Sequence, residues 1–564
     1  MKKTFLPLGL AVCLTVSGCS TLIEAQTPPP GAAGTRDKTQ LEVARAIQIF
    51  RDVLTGTANL YVDTIKAGEI SAIGINAMLS RLDPYTNYLP ESSREDFDFM
   101  TTGEYAGIGA YIQQADSVVY VQYPMPGSPA EKAGLLTGDA FVSIDGKKMI
   151  PATATTISNT LKGPSGTEVE VTIRRNGEDR LRTFHITRGN VVVDQVVYKG
   201  IFGDGIGLIR LSSFTEKSAD DVRRAYRELS KDAPLKGLIL DLRSNGGGVL
   251  DGAIEILGMF LPKGTEVLTT RGKLPETTQS YKTTTEPIST TLPLAVLING
   301  GTASASEILA GTLQDLDRAV LIGSKSFGKG LVQTTRPVSY GGILKVTISR
   351  YYIPSGRSIQ QLDYSHRNPD GSVAAVPDSL TRVFRTKNGR PVRDGGGIRP
   401  DREVKDELLS APVYAMLSEG EIFLYARELA RTMPAPKTLS EVVVTDEQFE
   451  GFLDFLLRRK FEYGEMSLNA LEQLEELAEF EGYEERSREA FAALRRALTP
   501  DLRQDIIKDK EQIKGLLRAA LAVYRFGMEG QYAVNLESDR SIEKALEILS
   551  SPDEYQSILR GKSE

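Results

Sequence analysis

Two residues in this chain sit where a hydroxyl and an amine could share a proton. The apolar stretch Leu294 to Ile298 runs into Asn299-Gly300-Gly301-Thr302-Ala303-Ser304-Ala305-Ser306-Glu307, after which Ile308, Leu309 and Leu313 fall on one helical face. A second apolar run, Ala319 to Ile322, leads into Gly323-Ser324-Lys325-Ser326-Phe327-Gly328-Lys329-Gly330. A serine hydroxyl becomes a usable nucleophile when a base removes its proton, and a lysine amine serves as that base once desolvation has lowered its pKa. Ser304 is the candidate nucleophile and Lys329, between glycines and close to Phe327, Leu331 and Val332, its candidate base; residue types alone leave Thr302 and Ser306 open for the hydroxyl role. Gln333, four residues beyond Lys329, could hydrogen-bond the amine and hold it on the serine. A helix opening at Ser304 would favour negative charge there and aim the Ala305 N–H at an oxyanion. The glycine turn in Arg243-Ser244-Asn245-Gly246-Gly247-Gly248 offers a second donor from Gly246 or Gly247.

The elements that must position these groups alternate in type. Ile206 to Leu211 reads as a strand, Lys217 to Lys231 as a helix, Leu235 to Leu242 as a strand and Ala253 to Phe260 as a helix, with strands around Val332 and from Ile343 to Tyr351. That order predicts an α/β layered core over residues 191–405. Residues 96–190 instead show short strands punctuated by glycine. Gly107-Ile108-Gly109-Ala110 is followed by Pro126-Gly127-Ser128-Pro129-Ala130-Glu131-Lys132-Ala133-Gly134-Leu135, by Gly138 to Gly146 and by Gly163-Pro164-Ser165-Gly166-Thr167. This order resembles a PDZ domain. The N–H groups of Gly107, Ile108, Gly109 and Ala110 would then turn toward a peptide's terminal carboxylate, and the peptide would add to the sheet edge as a strand. Residues 41–95 read as helical, with a break at Asp83-Pro84, and residues 406–564 as an all-helical extension. Within that extension Thr499-Pro500 is expected as an N-cap with proline at the first helical position, and the helix after it to reach about Phe526.

Other chemistries are excluded by composition. The 564 residues carry a net charge of −7, so no basic face points to nucleic acid as a partner. The two histidines, His185 and His366, stand in no metal or catalytic pattern; no metal site and no histidine base are expected. Gly323 to Lys329 has P-loop spacing, but Gly330 stands where Ser or Thr should hold magnesium, and Leu331 to Thr335 looks like a strand rather than a helix. No nucleotide cofactor is expected. At the N-terminus Lys2 and Lys3 precede Phe5 to Val16, too short for a comfortable membrane span, which reads as a secretory signal over residues 1–18. It closes with Val16-Ser17-Gly18-Cys19, which resembles a bacterial lipobox with Cys19 as the lipidated residue. Residues 19–40, with Pro28-Pro29-Pro30-Gly31, would form a flexible linker. The expected location is the cell envelope, with a lipid anchor and, because Ser20 follows the cysteine, the outer membrane facing the periplasm.

Taken together, the chain from Leu41 to Asp401 resembles a carboxyl-terminal processing protease, also called a tail-specific protease. The resemblance rests on Leu82-Asp83-Pro84 with Tyr88-Leu89, the PDZ string, Asp241 to Gly247, Ser304-Ala305-Ser306-Glu307, Phe327-Gly328-Lys329-Gly330 with Gln333, and Gly397-Ile398-Arg399-Pro400-Asp401. It implies a multidomain α+β protein: N-terminal helices, a PDZ barrel-like domain, a ClpP/crotonase-like core and the helical extension. It further implies a serine endopeptidase with a Ser304/Lys329 dyad, Gln333 orienting the lysine and oxyanion donors at Ala305 and Gly246. Asp315 would be structural. Its substrates would be unfolded or extended protein C-terminal tails, cleaved without metal or cofactor, with the PDZ domain gating the site. The helical extension would offer a surface for a second copy or an adaptor. A catalytically silent PDZ-bearing envelope scaffold is the alternative, against which the intact Ser304, Lys329 and Gln333 argue.

Overall fold

The computed structural model describes residues 32–364, 367–368, 372–375 and 377–561. The leader, Cys19 and His366 lie outside the described residues. A helix, Ala32–Leu60, opens inside the stretch expected as linker, since no proline follows Pro30 to interrupt it. It and the next helix, Ala67–Leu79, fall mainly in one compact unit ending at Met78, and the chain from Leu79 forms another.

In the larger unit the break expected at Asp83-Pro84 is a turn. The Asp83 carboxylate accepts hydrogen bonds from the N–H groups of Tyr85 and Thr86 and from the Thr86 hydroxyl, an Asx-type turn that competes with helix. The chain leaves this turn as the strand Asn87–Leu89, which pairs antiparallel with Ile343–Tyr352. Residues 83–89 therefore belong with the core, although they fall inside the span 41–95 read as the N-terminal helical region.

The core is built on a six-stranded sheet in the order Val196–Phe202, Ile206–Leu211, Gly237–Asp241, Leu294–Ile298, Val320–Gly323, Arg402–Glu403. The first pair is antiparallel and the rest are parallel. Its central strands are apolar on both faces, as parallel strands covered on two sides must be. Ile209, Leu211, Leu238, Leu240, Leu294 and Val296 pack with the helices Ser218–Leu229, Leu250–Phe260 and Ala305–Asp315. Leu208, Ile239, Ala295, Leu297, Val320 and Ile322 pack instead with Ile542, Ile548, Tyr555 and Leu559, from the last two helices, Arg540–Ser550 and Pro552–Leu559. The end of the helical extension is thus the rear layer of the core.

A second sheet carries Ile343–Tyr352 at its centre, with Leu331–Pro337, Glu266–Gly272 and Asn87–Leu89 beside it. The PDZ sheet runs Ala110–Ala115, Val118–Pro124, Ala140–Ile144, Glu168–Arg174, Leu181–Thr187, with the helices Pro129–Ala133 and Ala154–Leu161. The remaining helices, from Ala411 to Leu536, enclose their own apolar core around Phe449, Phe452 and Leu517. Thr499 closes the helix Glu484–Leu498, and the next helix is capped by Asp501, whose side chain accepts from Gln504 N–H. A free carboxylate suits an N-cap better than the threonine before a proline does. The long helix Lys510–Leu536 does not end near Phe526 but kinks at Gly527 (φ 63°), whose bare Cα lies against the Tyr123 hydroxyl of the PDZ domain. Arg427 donates to Gly138 O (2.7 Å), and Arg459 pairs with Asp116 (2.7 Å), so the helical domain also grips the PDZ sheet.

Candidate active site

Ser304 stands between the buried strand Leu294–Ile298 and the helix Ala305–Asp315 with φ 57° and ψ −116°. A non-glycine residue in that region is strained by about 1–3 kcal/mol and needs its surroundings to hold it. Its own N–H donates to Glu307 Oε2 (2.9 Å), and its carbonyl accepts from Ile308 N–H (3.0 Å). Of the three candidate hydroxyls, only Ser304 lines the cavity described below. Thr302 and Ser306 are fully buried and donate to Leu242 O and Asn245 O, both at 2.9 Å.

Lys329 is carried by a loop against which other backbone packs closely. A Cβ on Gly328 would lie 3.0 Å from Gly397 N, and one on Gly330 2.9 Å from Gln360 N. Glu307 ties this loop to the serine turn: its carboxylate also accepts from Ser326 Oγ (2.5 Å), Gly328 N (2.7 Å) and Lys329 N (2.9 Å). Burial pushes its pKa up to about 7, with these donors pulling the other way. Four donors on two oxygens satisfy the carboxylate form. Tyr351 adds a second tie, its hydroxyl lying 2.6 Å from Lys329 O and 3.3 Å from Ser304 O. Glu307 was visible in the sequence only as a motif mark, although Ser-x-x-Glu before an apolar run is the signature of a capping box.

The Lys329 amine has its pKa lowered to about 8, first by desolvation and then by the nearby Lys345 charge, against opposing effects from Glu307 and Asp83. Its Nζ lies 4.4 Å from the centroid of the Tyr85 ring. Gln333 and Lys345 line the same cavity. The Gln333 amide donates to Thr347 Oγ1 (3.1 Å), and among the described residues no hydrogen bond joins it to Lys329. The glutamine is therefore near the lysine but turned to the neighbouring strand. Lys345 and Thr347 lie at alternate positions of Ile343–Tyr352 and share one face, and Tyr351 follows a register shift between Thr347 and Ser349. Tyr85, Lys345, Thr347 and Tyr351 carried no local motif that would have singled them out.

The glycine turn completes the site. Gly247 N–H donates to Asn245 Oδ1 (2.9 Å), and Asn245 O accepts from Ala303 N–H (3.0 Å), locking the turn to the serine loop. A Cβ on Gly247 (φ 96°) would lie 2.7 Å from Ala303 O and 2.8 Å from Ser304 Cβ. With Gly247 committed, Gly246 and Ala305 both line the cavity, and no hydrogen bond within the described residues takes up their N–H groups. The cavity, about 730 Å³, is walled by Phe99, Met100, Leu250, Ile308, Tyr111 of the PDZ domain and Tyr532 of the helical domain.

In the PDZ domain Gly107 ends the strand Glu104–Gly107, and Ile108 and Gly109 (φ 74°) turn into the strand beginning at Ala110. That strand lies at the end of its sheet, and no strand among the described residues pairs with its outer edge. Burial pushes the Tyr105 phenol up to about 12, with the Ala110 and Gly109 amides at its oxygen pulling the other way. Asp315 lies away from the cavity, paired with the buried Arg357 (2.8 Å). His185 is exposed beside Glu168 (3.3 Å). Gly323 is followed by the strand Leu331–Pro337, not by a helix. Among the described residues no cluster of three or more His, Cys, Asp or Glu side chains could hold a metal ion.

A serine on a strained strand-to-helix turn, a lysine of lowered pKa and two free amides, beside a PDZ domain, define a PDZ-bearing serine peptidase. Residues 205–373 match the family described as peptidase family S41, residues 120–175 a PDZ domain, and residues 413–549 the C-terminal helical domain of a probable PDZ-protease. The chain is 40% identical over 314 residues to a carboxy-terminal-processing protease of Bartonella bacilliformis, covering 55% of this chain and 72% of that one. It is 34% identical over 339 residues to a probable CtpA-like serine protease of Staphylococcus haemolyticus, 60% of this chain and 66% of that one. A solved photosystem II D1 C-terminal processing protease aligns over 64% of this chain and 94% of its own, with 27% identity and a TM-score of 0.34. The chain belongs to the carboxy-terminal-processing protease family.

Proposed function

We propose that this chain is an endopeptidase that captures extended protein C-terminal tails in its PDZ domain and cleaves peptide bonds with the Ser304/Lys329 dyad. The observation that carries this reading is the Glu307 clasp, which holds the strained Ser304 turn and the Lys329 loop on one carboxylate. Neutral Lys329 takes the Ser304 proton as Oγ attacks the scissile carbonyl carbon. The N–H groups of Ala305 and Gly246 receive the oxyanion. Protonated Lys329 then gives its proton to the leaving amine, releasing the C-terminal fragment and leaving an ester on Ser304. A water deprotonated by Lys329 hydrolyses that ester. No step needs a metal or cofactor.

Tail binding would also complete the dyad. Lys329 must leave the Tyr85 ring and Gln333 must turn from Thr347 for the amide to brace the amine. Tyr111 lies on the PDZ edge strand that a tail would extend, and it also walls the catalytic cavity, which supports gating by a shift of the PDZ domain. The test is digestion of an unfolded protein with an apolar C-terminus by the chain from Thr21 onward, beside Ser304→Ala and Lys329→Ala, followed by product mass. Cleavage by the parent alone supports the dyad. Cleavage by all three refutes the site, and an inert parent favours the scaffold.

The envelope location rests on the lipobox resemblance at Cys19. No helix among the described residues is long and apolar enough to cross a membrane. Metabolic labelling with a fatty acid, lost in Cys19→Ser, tests the anchor. A second copy or an adaptor would meet the hairpin Glu465–Phe480 and Glu484–Leu498, where Leu474, Leu477 and Phe480 are exposed. Light scattering of a chain lacking only that hairpin tests this, because removing all residues after Asp406 would strip the rear layer of the core.

A further inference from the structure

The turn that offers the Gly246 amide begins at Asp241, the last residue of the strand Gly237–Asp241 and wholly buried. Its carboxylate accepts from Arg243 three times: from the backbone N–H (3.0 Å), Nε (2.9 Å) and Nη2 (2.8 Å). It also faces Arg210, with Nη1 at 3.4 Å. One buried carboxylate thus stands against two guanidinium groups. The second anion comes from the helical domain: Asp539 Oδ2 accepts from Arg243 Nη1 at 2.7 Å, with the two side chains only 14% and 16% exposed. Tyr532, seven residues earlier and on the preceding helix Lys510–Leu536, lies under Arg210, the guanidinium carbon 5.4 Å from the ring centroid.

We propose that Asp539 is a positioning residue for the oxyanion turn, so that the C-terminal helical domain forms part of the working active site. The two oxygens of Asp539 divide the work. Oδ1 caps the helix Arg540–Ser550 by accepting from Ser541 N–H (2.9 Å) and Ile542 N–H (3.1 Å), while Oδ2 holds Arg243. Ile542 and the rest of that helix are packed on the rear of the core sheet, so the anchor itself is rigid. Held from both sides, the Arg243 guanidinium stays flat against Asp241 and fixes the backbone of residues 243–245, where Ser244 takes the left-handed φ of 59° and its N–H donates to Asn299 Oδ1 (2.8 Å). Gly246 is the next residue. Without the second anion, one carboxylate faces two largely buried cations, an imbalance that a buried site relieves by moving a side chain out. Arg243 is the one whose movement drags the turn.

This inference rests on Gly246 as an oxyanion donor, and asparagine separates its two parts, since it keeps a good N-cap oxygen and removes the charge. In the full chain, Asp539→Asn should lower kcat about tenfold with KM nearly unchanged, the pattern of an interaction felt mainly in the transition state. Amide exchange across Leu242 to Val249 should quicken by about tenfold, since exchange reports local opening. Asp539→Glu should restore both to within about threefold of the parent, and the unfolding midpoint of Asp539→Asn should match the parent's. Parent-like turnover and exchange in Asp539→Asn, a glutamate variant no better than asparagine, or a midpoint that falls in step with the rate would each overturn it. The exchange measurement does not depend on Ser304 chemistry. An inert parent would count against the dyad while exchange still decides the role of Asp539.

Discussion

The Lys329 amine carries the sharpest quantitative consequence. With its pKa at about 8 rather than the ordinary 10.5, about one-tenth of the amine is neutral at pH 7, against about one part in three thousand for a free lysine. If the neutral amine is the base, kcat/KM should rise nearly tenfold per pH unit below about pH 8 and level off above it. The assay is initial-rate cleavage of an unfolded substrate across pH in buffers of constant ionic strength. The same shift must appear in stability. Below pH 8 the amine is protonated in both folded and unfolded chains, and burying it as an ammonium costs up to roughly 3 kcal/mol. Between 8 and 10.5 the unfolded chain still holds a proton that the folded one has lost, so stability gained with rising pH offsets that cost. Lys329→Met should therefore be inactive yet more stable than the parent at pH 7, with the gap narrowing as pH rises through that window. A rate flat from about pH 6 to about pH 9, or a Met variant less stable than the parent at pH 7, would refute the argument.

Three further outcomes follow from the geometry. Glu307→Gln replaces a four-fold acceptor by a group with one acceptor oxygen, so two of its donors lose their partner; the cost should be about 2–5 kcal/mol in urea unfolding, with turnover nearly abolished. Gly247→Ala places a methyl against Ala303 O and Ser304 at a φ of 96°; cleavage should vanish while binding of a C-terminal peptide to the PDZ domain, measured by fluorescence anisotropy, stays at parent level. Removing residues 540–561 exposes Leu208, Ile239, Leu297 and Ile322, each worth about 1.5–3 kcal/mol of burial, and should leave the chain insoluble or strongly dye-binding where deletion of the 465–498 hairpin does not.

Much of the site was legible before folding, and the reason is local. Ser304, Ala305, Gly246 and Lys329 lie in short segments where glycine, a capping pattern and adjoining apolar runs announce a turn beside a strand. The strands Ile206–Leu211 and Leu294–Ile298 coincide with their apolar runs because both faces are covered. Lys345, Thr347 and Tyr351 were missed because they lie on Ile343–Tyr352, which comes beside the dyad through its pairing with Leu331–Pro337, and Tyr85 because it lies in the distant turn before Asn87–Leu89. The break at Asp83-Pro84 was legible, since the Asp83 side chain outcompetes helix within one turn, but the strand Asn87–Leu89 after it was not, because only its pairing with Ile343–Tyr352 defines it.

By itself, then, the sequence determined the family, the domain order and which hydroxyl and amine are candidates, because those depend on residue types at short spacing. The resemblance named Ser304, whereas residue types left Thr302 and Ser306 open; the tertiary structure buries those two against Leu242 O and Asn245 O. It alone brought Glu307 to the Lys329 loop, turned Gln333 to Thr347, and set the last two helices behind the core sheet with Asp539 on Arg243. Those are contacts between segments tens to hundreds of residues apart, fixed by which apolar faces must be covered and which buried charges must be paired, and no local pattern encodes them.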